Sequence, residues 1–184
     1  MADSTQLRFV DACGSDARLG ESLIAGCQQV RQQVFIGEQG VSLDLEIDGR
    51  DPLPSTHHLL ALELGSEPAG SLEDLEVLSS GKPVGTGRLL LDSAHPGSVH
   101  LGRLAVLSDW RGRGLGSELL SRLEQIALRE YGRSEAGTQS VKVVLSAQLQ
   151  ALDFYTQRGY VPMREETHFE AGIEHLEVAK LLAQ

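Results

Sequence analysis

The chain has 184 residues, 41% of them apolar, and a formal net charge of -10. That length suits one α/β core of ordinary domain size, and the charge disfavours nucleic acid and anionic membranes as partners, leaving a cationic one as the better match. Cys13 and Cys27 form no CxxC pair, which excludes a disulfide framework and a cysteine-based zinc site and fits a reducing compartment.

Leu7 to Ala12 alternates as a short strand does, and Ser15 and Asp16 offer cap chemistry for the segment that follows. There Leu23, Cys27, Val30 and Val34 line one face of a first helix, which Gly37 and Gly40 interrupt. The acidic run Asp44, Glu46, Asp48 and Asp51 reads either as a solvated face or as a field that steers a cationic amine. His57 and His58 are strand neighbours pointing to opposite faces, so they make no bidentate metal pair, and no metal is expected. His58 to Leu64 is a strand, and about 66–82 is a surface insertion rich in Gly, Ser and Glu, with a helical turn near Leu72 to Val77. Pro83 to Leu91 and Val99 to Val106 form a hairpin about the turn Asp92 to Gly97.

After Gly116 the residues Leu119, Leu120, Leu123, Ile126 and Ala127 keep helical spacing. Gly132 to Gln139 reads as a polar loop, and Val141 to Ala147 as a strand buried on both faces. A short helix, Leu149 to Arg158, ends at Gly159. Tyr160 to Pro162 and a strand around Glu174 to Leu181 close the chain, with a turn at Glu170 to Gly172. Neither a repeat nor an inter-domain linker interrupts residues 1–184, so one domain is expected. Met1 to Gln6 has no basic region ahead of an apolar stretch, and no apolar run approaches about 18 residues, so a cytoplasmic location is expected.

The chemistry concentrates in Arg111-Gly112-Arg113-Gly114-Leu115-Gly116, set between a strand and an amphipathic helix. Glycines let backbone N–H groups approach phosphate oxygens, the helix dipole favours the anion, and Arg111 and Arg113 add charge. A diphosphate fits such a loop. The letters exclude a P-loop, which needs Gly-Lys-Ser/Thr, and the dinucleotide fingerprint GxGxxG, which fails at Ser117.

The pattern of Arg111, Gly114 and Gly116, preceded by Leu101 to Val106 and followed by Phe154 to Tyr160, resembles the GNAT superfamily of acetyl-CoA-dependent N-acetyltransferases. Val34 to Gln39, Glu46 to Gly49, Ser146 to Gln148 and Glu170 to His175 are similar to its bacterial ElaA and YjcF-like group, from which the insertion departs. The resemblance implies a central mixed, mostly antiparallel twisted sheet of six to seven strands with a V-shaped splay, flanked by about four helices. It implies acetyl-CoA as co-substrate, without metal. Leu104, Ala105 and Val106 would meet the thioester, Arg111, Gly112, Arg113, Gly114, Leu115 and Gly116 the diphosphate, and Gln148, Phe154 and Tyr155 the CoA arm.

The implied reaction is direct attack of a primary amine on the thioester in a ternary complex. A phenol with pKa near ~10 stays protonated at neutral pH, so Tyr155 is the candidate acid for the leaving thiolate. Glu38, His100 and His175 are candidate bases for the ammonium proton. The acceptor is a small-molecule or peptide amine; a glucosamine 6-phosphate-type substrate, protein acetylation and a non-catalytic acyl-CoA-binding module are the alternatives. A homodimer is the commonest assembly for such chains.

Overall fold

The alternating residues of Gln6–Cys13 form β1, which pairs antiparallel with β2 (Thr56–Leu64), Gln6 facing Leu64 and Cys13 facing His57. The computed structural model describes residues 6–65 and 72–184. The chain packs as two units, Met1–Arg88 with Arg103–Ser121 and Leu89–Gly102 with Arg122–Gln184, and β3 (Lys82–Leu91), β4 (Ser98–Val106) and α4 (Leu115–Tyr131) each contribute residues to both.

In the first unit the strand order is β1-β2-β3-β4. Asp16 Oδ1 accepts the N–H groups of Arg18 and Leu19 at 2.9 and 2.8 Å, turning the chain into α1 (Gly20–Arg31), as the cap chemistry predicts. Leu23, Cys27 and Val30 are wholly buried on its inner face. The helix then widens into a π-turn, Gln32–Glu38, which carries it through Gly37 and buries Val34; the break comes only at Gly40, where φ is +71°. Past α2 (Leu43–Glu46), α3 (Asp74–Ser80) starts in a capping box between Glu73 and Glu76. Its Val77 is fully buried, so this half of the expected surface insertion belongs to the core; residues 66–71 lie outside the described ones.

Of the acidic run only Asp44 is exposed; Glu46, Asp48 and Asp51 turn inward to arginines instead of forming a solvated face or a steering field. Glu46 and Asp51 are 2% and 3% exposed and meet Arg31 and Arg88, themselves 1% and 3% exposed. Arg31 Nη1 donates to both Asp51 oxygens at 3.0 Å, its Nε donates to Glu46, and Arg88 donates to Asp51 at 2.8 Å and to Asp48 at 2.6 and 3.0 Å. Arg103 Nε lies 2.9 Å from Glu46 Oε2. Three guanidinium groups thus balance three carboxylates, which makes burial of this much charge tolerable. Burial alone would raise the Asp51 pKa, but the hydrogen bonds and charge of Arg31, joined by Arg88, hold it well below the usual carboxylate range. Arg103 sits in β4 with φ of +55°, an uncommon backbone for a residue other than glycine, and its side chain also holds the carbonyls of Leu45 and Glu46.

In the second unit β4 pairs parallel with β6 (Thr138–Gln148) over Ser98–His100 and Lys142–Val144. β6 pairs antiparallel with β9 (Ile173–Ala183) from Ser140↔Ala183 to Gln148↔His175. Val143, Val144 and Leu145 are consecutive and all buried, so both faces of β6 are covered, as its β-branched run predicts. The other edge of β9 carries β7 (Val161–Pro162) and β8 (His168–Glu170). The stretch Gly132 to Gln139, expected as a loop, contains β5 (Arg133–Glu135), which pairs with β6. The described residues therefore hold nine strands rather than six or seven, β5 and β8 being three-residue additions, and five α-helices, the last being α5 (Leu152–Thr156). The class is the expected mixed α/β open sheet. No helix among the described residues is long and apolar enough to cross a membrane.

Candidate functional site

Between β4 and α4 the chain makes a 3₁₀ turn, Ser108–Trp110, then the glycine loop. Leu107 N–H donates to Val84 O at 3.0 Å and Trp110 N–H to Leu107 O at 2.9 Å, and Trp110 is buried, which fixes the loop's entry. Gly112 and Gly114 have φ of +72° and +83°, the left-handed region that side chains disfavour, and a Cβ at either would meet open space. The loop is therefore bare on its outer surface. It opens onto the start of α4, the positive end of the helix dipole.

The two arginines of the loop do different work. Arg111 Nε donates to Val106 O at 2.9 Å and its Nη2 to Glu38 Oε2 at 2.7 Å, tying the loop to the end of β4 and to the π-turn. Arg113 lies with its guanidinium carbon 5.3 Å from the centre of the Trp110 ring. Leu104, Ala105 and Val106 end β4, with Ala105 in the core and Leu104 and Val106 half-buried. Leu115 is buried and Gly116 follows it in the first turn of α4. The structure thus brings Leu104 to Gly116 together with Glu38 in the first unit.

Gln148, Phe154, Tyr155, His100 and His175 belong to the second unit. Tyr155 lies on α5, its ring edge-on to Phe154 at 5.0 Å and to Tyr160 at 5.8 Å. Loss of solvation pushes its phenol up to about 12, so it remains protonated at every working pH. Gln148 ends β6 and accepts from Gln150 Nε2 at 2.8 Å. His175 is its ladder partner on β9.

The candidate bases differ in what already occupies them. Glu38 is paired with Arg111. His100 Nε2 lies 3.0 Å from Asp92 Oδ2, and Asp92 also takes His95 Nδ1 at 2.8 Å: desolvation would raise its pKa, but hydrogen bonds from the two imidazoles and from the N–H groups of His95 and Ala94 hold it at about 2. His175 is 7% exposed, and its Nδ1 lies 2.8 Å from the Ile173 carbonyl. A carbonyl only accepts, so Nδ1 carries the hydrogen and Nε2 is the nitrogen left to take up a proton.

Sequence reading missed the partners around His175. Ser146 Oγ lies 2.9 Å from His168 Nε2 and donates to Glu170 Oε1 at 3.0 Å, while His168 Nε2 lies 2.9 Å from that same oxygen. The signal was the two-residue spacing of His168 and Glu170 before the Ala171-Gly172 turn, which puts both on one face of a strand. Among the described residues no group of three or more His, Cys, Asp or Glu side chains is arranged to hold a metal ion.

The open mixed sheet is the fold of acyl-CoA N-acyltransferases, and the family comparison agrees. The model of the acetyltransferase (GNAT) domain matches residues 69–182, and the chain belongs to that family. It is an acyltransferase. It is 32% identical over 151 residues to the uncharacterized N-acetyltransferase YjcF of Bacillus subtilis, spanning 82% of this chain and 87% of that one. The structure is similar to an acyl-CoA N-acyltransferase from Pseudomonas aeruginosa (TM-score 0.69, 28% identity, 95% and 99% of the two chains). It shares its fold with Escherichia coli ElaA (TM-score 0.70, 22% identity, 95% and 99% covered).

Proposed function

We propose that this protein transfers the acetyl group of acetyl-CoA to a primary amine of a small molecule or peptide, by direct attack in a ternary complex. The observation that carries the reading is the bare loop of Gly112 and Gly114 at the N-terminus of α4, a site for the CoA diphosphate. Leu104 to Val106 would supply the backbone that meets the thioester carbonyl, and Gln148 and Phe154 would border the CoA arm. His175 is the base the geometry favours over Glu38 and His100, because its Nε2 is left to take up a proton while the other two face charged partners.

His175 Nε2 takes one proton from the acceptor ammonium; the amine nitrogen bonds to the thioester carbon; the C–S bond breaks; the sulfur takes the Tyr155 proton. The amide nitrogen sheds its second proton to solvent, from which the tyrosinate regains one, and His175 releases the proton it took, so that one proton is released per turnover. The two free cysteines agree with work in the reducing cytoplasm.

A thiol-release screen of primary amines, polyamines, amino sugars and peptides tests the reading. Release of CoA that depends on a primary amine is expected; acetyl-CoA binding without release on any acceptor would make the protein an acyl-CoA-binding module instead. Gly114→Val places a β-branched residue at a φ of +83°, a strain of about 1–3 kcal/mol that the loop relieves by turning its amides away. Acetyl-CoA affinity measured by calorimetry is expected to fall at least about tenfold, with the fold retained in circular dichroism.

A further inference from the structure

Ser146, His168 and Glu170 form a polar triangle that neither the diphosphate loop nor the Tyr155 step uses. It is built on a framework that fixes it well: β8 pairs His168 with His175 and Glu170 with Ile173, and β6 pairs Gln148 with His175 on the other side of β9. Two-residue steps along each strand keep Ser146, His175, His168 and Glu170 on one face of the sheet. The rings of His168 and His175 stack with centres 6.0 Å apart.

The triangle is reachable and negatively charged. The His168 and Glu170 side chains are 41% and 55% exposed. Glu170 Oε1 receives Ser146 Oγ–H and the His168 Nε2 proton, and the half-exposed carboxylate keeps acceptor capacity beyond these two bonds. The negative charge of the set is the carboxylate of Glu170. The ladder of three pairs already closes the β8–β9 hairpin, and an exposed hydrogen-bonded pair adds little to stability, so a purely structural role explains the cluster poorly.

We propose that Ser146, His168 and Glu170 are the subsite that holds the ammonium group of the acceptor, with His175 beside it to take the proton. This rests on the amine-acetylation reading above and narrows its substrate class. Glu177, the ladder partner of Ser146, stands on the same face of β9, bound to Arg164, whereas Glu174 turns to the opposite face, so the negative charge an acceptor meets is that of Glu170 and, to a smaller extent, Glu177. The acceptor is therefore an alkyl amine or polyamine free of a neighbouring carboxylate or phosphate, rather than an amino acid or a sugar phosphate.

The test is an NMR titration of the histidine imidazoles with cadaverine, and with 6-aminohexanoate as the carboxylate-bearing counterpart, on the acetyl-CoA-saturated protein and the free one. Cadaverine is expected to shift the His168 and His175 signals saturably and to bind more tightly than 6-aminohexanoate. Glu170→Gln should weaken it at least about tenfold, and Ser146→Ala should weaken it less. The acetyl-CoA-induced rise in melting temperature should be the same in all three proteins. Absence of a saturable cadaverine shift in the wild type, or equal affinity in Glu170→Gln and wild type, overturns the subsite. Loss of the acetyl-CoA response in the wild type instead overturns the coenzyme reading, which the cadaverine titration of the free protein does not depend on.

Discussion

Replacing Tyr155 with phenylalanine is expected to lower kcat at least about 100-fold while acetyl-CoA affinity stays within about twofold, because a general acid contributes on the order of 10² to 10⁴ to rate and little to ground-state binding. The phenol is suited to the task by its surroundings. Desolvation raises it to about 12, so it never ionises in the working range, yet a departing thiolate still draws its proton. Phe154 and Tyr160, packed edge-on against it, hold the ring, and phenylalanine keeps those contacts. The pairing of slow turnover with unchanged coenzyme binding separates loss of an acid from loss of fold. Unchanged kcat would remove Tyr155 from the chemistry.

Asp51→Asn is expected to destabilise the protein by about 3–5 kcal/mol, because it strips one partner from a buried ion set and leaves Arg31 and Arg88 undercompensated. For a chain of this length that lowers the melting temperature by about 10 °C. The pH dependence carries a second signature. The folded-state pKa of Asp51 is depressed, so the native state binds fewer protons than the unfolded chain as acid is added. Its stabilisation is complete above the ordinary aspartate pKa of about 4 and is lost as pH falls below that value. Urea melts between neutrality and pH 3 should show the wild type losing stability more steeply than Asp51→Asn, and parallel slopes would show that the network does not hold Asp51 ionised.

What the sequence makes legible follows from the range of the physical signal. The glycine loop and α4 are local: φ-permissive residues at fixed steps, then a 3.6-residue apolar stripe, and the structure has both where the letters put them. The β6 strand is equally plain from its β-branched run. β5 and β8 are three residues each, too short to show alternation, and exist because β6 and β9 offer open edges. The acidic run misleads because its neutralising partners are remote: Asp51 meets Arg31 twenty residues before it and Arg88 thirty-seven after it. Arg31 gives one local hint, standing four residues after Cys27 on the buried stripe of α1. Likewise His175 reads as an isolated strand histidine until the turn at Ala171 and Gly172 folds His168 and Glu170 beside it.

The diphosphate assignment is tested most directly by comparing acetyl-CoA with S-acetylpantetheine, which keeps the thioester and lacks the diphosphate, in thermal melts of the wild-type protein. A ligand bound only by the folded state stabilises it by about 2.7 kcal/mol at one hundred times its Kd. If Gly112 to Gly116 and the start of α4 hold the diphosphate, acetyl-CoA raises the melting temperature in a saturable manner and S-acetylpantetheine at the same concentration does not. Equal shifts from the two ligands, or none from acetyl-CoA, would contradict it.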